Sequence, residues 1–291
     1  MQAKKVIRTV EEAIASVHFC GFEKGQLMFR GQVNADWDIV PSLFRELPDL
    51  HDASLYEAAT IGPLFLQIKS PFVNSYDPIE QLMTAQHFNI PTRLTDWTND
   101  ILVGLFFACY DFENRYNDKN GRLTLAEKRF FEVFPVNSAT QRMYKSPLDP
   151  TKIETYKARL QINDIYILEP LIKNPRMRVQ DGCFMFFPFK LNSEDTRLLT
   201  LNKYIREQRK FVDKHNKESG TKLTYIFIAS KEIDKAYKKS ILKELDYKYG
   251  ISKESLFIDS KYSTETEDHY LKLRKHADYK MRLLRNRAKL R

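Results

Sequence analysis

The stretch that most constrains the fold is residues 86–110, QHFNIPTRLTDWTNDILVGLFFACY. Asp77 and Glu80 stand at capping-box spacing with Pro78 at the first helical position, so a helix is expected up to about His87. Asn89 suits a left-handed stop. Residues 91–98 then alternate polar and apolar side chains over a short span, as an extended segment or loop does. Thr98, Asn99 or Asp100 can cap a second helix, ILVGLFFACY, apolar nearly all round and therefore buried. A polar octapeptide is thus held between two helices. Arg93 and Asp96 in it read as one charge pair at the mouth of a core.

Other segments supply the rest of a globular body. Thr9 and Glu12 form another capping-box spacing ahead of a short helix to about Phe19. Gly21 and Gly25 bracket a turn before a strand over 26–32, and residues 36–45 read as a second extended segment. Residues 52–69 are helical in pattern with a break at Gly62-Pro63. The Asp118-Lys119-Asn120-Gly121 run reads as a turn in a polar, exposed insertion. Extended candidates follow at 130–136, 164–172, 183–189 and 222–229, with helices over 195–215 and 231–248, the latter ending at Gly250. The expected architecture is α+β: a mixed sheet flanked by helices, in one domain with an appended C-terminal helix. Residues 1–24 form a helical lead-in, 25–262 the domain and 263–291 the basic helix.

Composition bounds the function classes. Apolar residues make up 43% and aromatics 13% of the chain, a globular balance. Three separated cysteines, Cys20, Cys109 and Cys183, fit buried free thiols in a reducing compartment. The start has no apolar signal region and no run reaches a membrane span, so a cytoplasmic protein with no membrane partner is expected. Zinc spacings, GxxxxGK[ST], GxGxxG and GxSxG are all absent from the sequence, and no metal is expected.

The net charge of +9 is unevenly placed. From His269 to Arg291 nine Lys/Arg oppose the single acid Asp278, a balance of +8, which leaves +1 for the rest. A helix there aligns Leu273, Ala277, Met281, Leu284 and Ala288 on one stripe. Its cations include Lys272, Arg274, Lys275, Lys280, Arg282, Arg285 and Arg287. Such a helix can grip a phosphate backbone, dock its stripe on the body with a solvated outer face, or be held by an acidic partner such as a neutralising antitoxin.

Five ordered motifs resemble the FRG domain, named for its Phe-Arg-Gly triplet. They are FRGQ at 29–32, W-x-x-x-PSLFR at 37–45, QHFNIPTRLTDWT at 86–98 with FFA at 106–108, R-x-Q-x-G-x-F at 178–184, and GISKESLFIDS at 250–260. In the last, Ile258 stands where the family carries proline. A looser similarity is to ADP-ribosyltransferases, whose NAD pocket opens with a strand ending in Arg-Gly or His-Gly. Phe29-Arg30-Gly31 is similar to that element, and 92–98 with 104–108 to the second strand and helix. Residues 176–184 take the place of the third element, with Gln180-Asp181 where a glutamate is expected.

That similarity implies a split sheet, NAD as substrate, and ADP-ribosyl transfer, here by a bacterial toxin or phage-defence effector modifying nucleic acid, RNA favoured because of the basic tail. The alternative is a non-catalytic module binding nucleic acid or a partner. Cleaving the nicotinamide–ribose bond builds positive charge on the ribose, which a carboxylate stabilises, and a diphosphate selects arginine. The catalytic candidates are Arg30, Asp96, Gln180 and Asp181. Phe29, Gly31, Gln32, Thr92, Arg93, Trp97, Thr98 and Phe107 are candidates for holding NAD. Glycine at 31 would admit backbone close to the nicotinamide amide. Each also has a structural alternative. Arg30 and Asp96 can form a buried pair, Trp97 and Trp37 can be core, Gln180 can cap backbone, and Asp181-Gly182 can be a turn. His87 can donate to helix-end carbonyls or act as a base.

Overall fold

The computed structural model describes residues 6–18, 25–65, 78–87, 89–128, 132–135, 165–170, 175–189, 200–219, 228–258, 275 and 277–286. Asp77, Cys20, Lys272, Arg274 and Arg287 lie outside these, as does the side chain of His87. The fold is α+β. Helix α1 (Val10–His18) leads to β1 (Leu27–Gln32), α2 (Ser42–Glu46), α3 (Leu50–Phe65), α4 (Pro78–His87), β2 (Leu94–Thr98), α5 (Ile101–Cys109), β3 (Gly121–Glu127) and β4 (Glu132–Pro135). Then follow β5 (Tyr166–Glu169), α6 (Pro175–Val179), β6 (Gly182–Phe186), α7 (Leu201–Ser219), β7 (Ile228–Ile233), α8 (Lys238–Tyr249) and α9 (Lys253–Leu256). A last helix, α10, occupies 277–286.

One seven-stranded sheet runs in the order β4-β5-β6-β2-β1-β3-β7. It is mixed, because β4 pairs parallel to β5 and the other neighbours are antiparallel. Alternation along β1 sends Leu27 and Phe29 to one core, with α1, α5 and α8, and Met28 to another, with α2, α3 and α4. Both faces are therefore covered. Asn89 takes the left-handed conformation after α4 (φ 56°), and Gly250 does so after α8 (φ 64°). The Asp100 carboxylate caps α5 by accepting from Leu102 N at 2.8 Å. Cys109 and Cys183 are buried and not in a disulfide, and burial pushes the Cys109 thiol up to about 12.

Three local expectations change. The turn at 118–121 leads into an interior strand over 121–127 rather than lying in an exposed insertion: β3 pairs with β1 and β7, with Leu123 and Leu125 in one core and Ala126 in the other. Residues 42–46 form a short helix and not a continuation of extended chain, with Pro41 preceding it. Helix α3 runs through Gly62-Pro63. Proline at 63 has no N–H for the Ala59 carbonyl one turn back. Lys280 Nζ of α10 donates to that carbonyl instead, and burial lowers the lysine's pKa.

Helix α10 is docked. Ala277 and Met281 are buried in the core beside α3, with Leu284 packed against it. Arg285 pairs with the Glu46 carboxylate and donates from Nε to its carbonyl at 3.4 Å. Lys280 and Arg285 are thus committed to the body, while Lys275 and Arg282 are exposed. Among the described residues no helix is long and apolar enough to cross a membrane.

Candidate functional site

The site begins where the sheet's hydrogen bonding fails. β1 pairs with β3 along its full length from Leu27 to Gln32, and β2 pairs with β6 from Leu94 to Thr98. Yet β1 and β2 share a single register pair, Phe29 with Thr98. Beyond it the two strands diverge, and an open ladder would leave Asp96 O without a donor. Arg30 supplies one: its Nη1 donates to Asp96 O at 2.5 Å. The guanidinium spans the gap where a backbone amide would otherwise stand.

A cavity of about 230 Å³ occupies this split. Phe29, Arg30 and Gly31 form one wall, and Asp96, Trp97 and Thr98 the opposite one. Arg176, Met177, Gln180 and Gly182–Phe184 form the third wall, Gln86 of α4 and Asn89 beyond its end close it on one side, and Val103 and Phe107 of α5 on the other. Side chains from both helical layers reach it, so the cleft passes into the sheet rather than lying over one face.

Among the described residues Asp96 is the one carboxylate on these walls, and its Oδ2 accepts from Gln86 Nε2 at 2.9 Å. Burial lowers the pKa of Arg30, Asp96 opposes that, and the nearby Arg45 charge reinforces it. Arg45, on α2, is shifted down by burial against the same Asp96 pull. Both arginines stay protonated at any working pH. With Arg176 also on the wall, arginines outnumber the acid, and the cleft suits an anion.

Of the residues chosen from sequence, Phe29, Arg30, Gly31, Asp96, Trp97, Thr98, Phe107 and Gln180 converge on the cleft. Trp97 is also core, at 3% exposure, with Nε1 donating to Thr95 Oγ1 at 3.0 Å. Gln180 Nε2 donates to Leu256 O at 3.0 Å, and Thr98 Oγ1 donates to Gln180 O at 2.6 Å. Gln180 is thus both wall and brace.

Four candidates lie elsewhere. Asp181 is a turn residue (φ 41°), accepting from Asn99 N at 3.0 Å, and it is not on the cavity wall. Gln32 donates to Asp38 O at 3.3 Å, and Thr92 Oγ1 donates to Gln86 Oε1 at 2.6 Å. Arg93 departs furthest. It lies an odd number of positions from Asp96, so the two leave opposite faces of the strand. Its Nη2 pairs with Glu57 Oε1 of α3 at 3.0 Å, both side chains 1% exposed, and its guanidinium lies over Phe186 and Phe189. The expected Arg93–Asp96 pair is replaced by Arg93–Glu57. Burial raises the Glu57 carboxyl to about 7 despite the arginine.

Gln86, Asn89, Arg45 and Arg176 belong to the site or its field and were not chosen from sequence. Arg45 closes the PSLFR run and Gln86 opens the QHFN run, but their convergence depends on α2 and α4 crossing the same strand end.

Comparison with known families decides what this β1-to-α5 segment is: residues 25–117 match the FRG domain. No curated protein and no solved structure compared with the chain matches it. The FRG match takes in β1 through α5 and ends before β3, so it holds two cleft walls. The third wall, 176–184, comes from beyond the matched span.

Proposed function

We propose that the cleft binds NAD and that the protein is an ADP-ribosyltransferase modifying nucleic acid, RNA in the first place, as a toxin or phage-defence effector. The observation that carries this is the convergence of Arg30, Asp96 and Gln180, from three distant segments, on one cationic cleft at a break in the sheet. The chemistry asks for little more. The bond between nicotinamide and ribose C1′ breaks with its electron pair leaving on nicotinamide. A nucleophile of the RNA then bonds to C1′ and gives up a proton. Asp96 is the carboxylate placed to stabilise the intervening positive charge, and Arg30 and Arg176 are the cations for the diphosphate. Asp181 has no part in it. Lys275 and Arg282 on α10 offer exposed charge to a polymer, and an acidic antitoxin could cover the same face.

A second reading, a binding module without turnover, draws on one observation. The Asp96 carboxylate and the Gln180 amide are both already engaged, with Gln86 and Leu256. Incubation with labelled NAD and RNA separates the two. The transferase reading expects label on RNA with wild type and a loss of at least a hundredfold with Arg30→Ala, since one electrostatic contact in a dry site contributes about that much. Undiminished labelling by Arg30→Ala removes Arg30 from the chemistry, and no labelling by wild type favours the binding module.

A further inference from the structure

A cavity of about 230 Å³ is smaller than the roughly 300–1,000 Å³ of pockets that enclose whole ligands of drug size, and a dinucleotide is larger still. If NAD enters the split nicotinamide end first, its adenosine half must lie outside. Joined to the cleft through its wall residue Phe107 stands an aromatic ledge that the chemistry above leaves unused. Phe107, on the cavity wall, stacks with Phe112 at 6.4 Å and an interplanar angle of 28°. Phe112 is 50% exposed and lies nearly perpendicular to Tyr110, at 4.7 Å between centroids, and to Phe257, at 5.2 Å. Arg176, a wall residue, lies over the Phe257 ring at 4.3 Å. Arg176 is thus shared by the cleft wall and, through Phe257, by the rings around the half-exposed Phe112.

We infer that this ledge is the adenine subsite: the base stacks on Phe112 while the diphosphate crosses at Arg176. The inference rests on the NAD reading of the cleft. The occupant is chosen by geometry and charge, because the ledge continues the cleft through Phe107 and the two share the Arg176 cation. Aromatic stacking contributes about 1–3 kcal/mol per base, so losing the ring costs roughly tenfold in affinity.

Calorimetric titration of the full chain with NAD, ADP-ribose and nicotinamide mononucleotide tests it. Phe112→Ala should weaken NAD and ADP-ribose about tenfold and leave nicotinamide mononucleotide unchanged. Phe112→Tyr, which keeps the ring, should bind NAD within about twofold of wild type. Equal NAD affinity in wild type and Phe112→Ala overturns the subsite while leaving the cleft standing. Equal weakening of the mononucleotide also overturns it, since the effect would then be repacking through Phe107. In a parallel titration with an RNA oligonucleotide, a Phe112→Ala loss confined to RNA overturns the subsite and assigns the ledge to the polymer. Wild type binding none of the three overturns both the subsite and the NAD reading.

Discussion

Gly31→Ala should leave little folded protein, with a loss of roughly 3 kcal/mol or more in a denaturant melt. The FRG triplet reads as a motif for a ligand, and Gly31 does line the cleft. Its missing side chain, however, points the other way, toward α5. A Cβ placed there would meet Gly104 O at 2.0 Å, Ala108 N at 2.4 Å and the Phe107 carbonyl carbon at 2.7 Å. All three are backbone atoms of a helix buried on the sheet, so no side chain can rotate away and the helix must lift off. Gly104 makes the reciprocal accommodation, facing Phe29. Overpacking costs typically 1–3 kcal/mol where neighbours can adjust, and here they cannot. If Gly31→Ala melts like wild type and loses only ligand binding, the glycine serves the ligand and the close approach of β1 to α5 is misassigned.

Arg93→Ala should cost roughly 3–5 kcal/mol, the range for removing one partner from a buried ion pair. Arg93 also fills volume, since its guanidinium lies 4.3 Å and 4.1 Å from the Phe186 and Phe189 ring centroids. Lysine does not restore a planar group stacked on two rings, so Arg93→Lys should recover only part of the loss. The pair also carries a pH signature. Glu57 is raised from 4.5 to about 7 by burial, with Arg93 pulling the other way. Its contribution to stability is therefore fully present below about pH 4.5 and lost as pH rises toward 7, a span worth roughly 3 kcal/mol. Glu57→Gln removes that dependence, so the gap between wild type and the variant should shift in the variant's favour between pH 4.5 and 7.5. A pH-independent gap contradicts the raised carboxyl. Because the pair lies away from the cleft walls, Glu57→Gln should keep ligand affinity.

What the sequence discloses and what it hides divide along the distance over which a residue acts. The left-handed stop at Asn89, the Asp100 cap of α5 and the strand ending in Phe29-Arg30-Gly31 are local devices, and the structure holds each of them. Three segments chosen by motif also meet at one cleft, although nothing within any one of them specifies that meeting. Strand β3 escapes detection because it follows directly on a turn rich in polar residues, and Arg122 and Thr124 between its leucines read as a continuation of that polar run. The partner of Arg93 sits 36 positions away on another layer, while Asp96 is three away, so proximity in sequence suggests the wrong pair. Helix α3 runs through Pro63, and a lysine from α10, more than two hundred residues downstream, donates to the stranded carbonyl. That same docking explains why the basic tail is less free than its composition suggests.

The central claim is that the sheet opens between β1 and β2 to hold NAD against Arg30. Its most direct test is the melting temperature of wild type and Arg30→Ala with and without millimolar NAD. Ligand at a hundredfold over its dissociation constant stabilises by about 2.7 kcal/mol, which for a chain of this size raises the midpoint by roughly 4 °C. The account predicts that rise in wild type and none in Arg30→Ala. An unmoved wild-type midpoint, or an equal rise in both proteins, contradicts it.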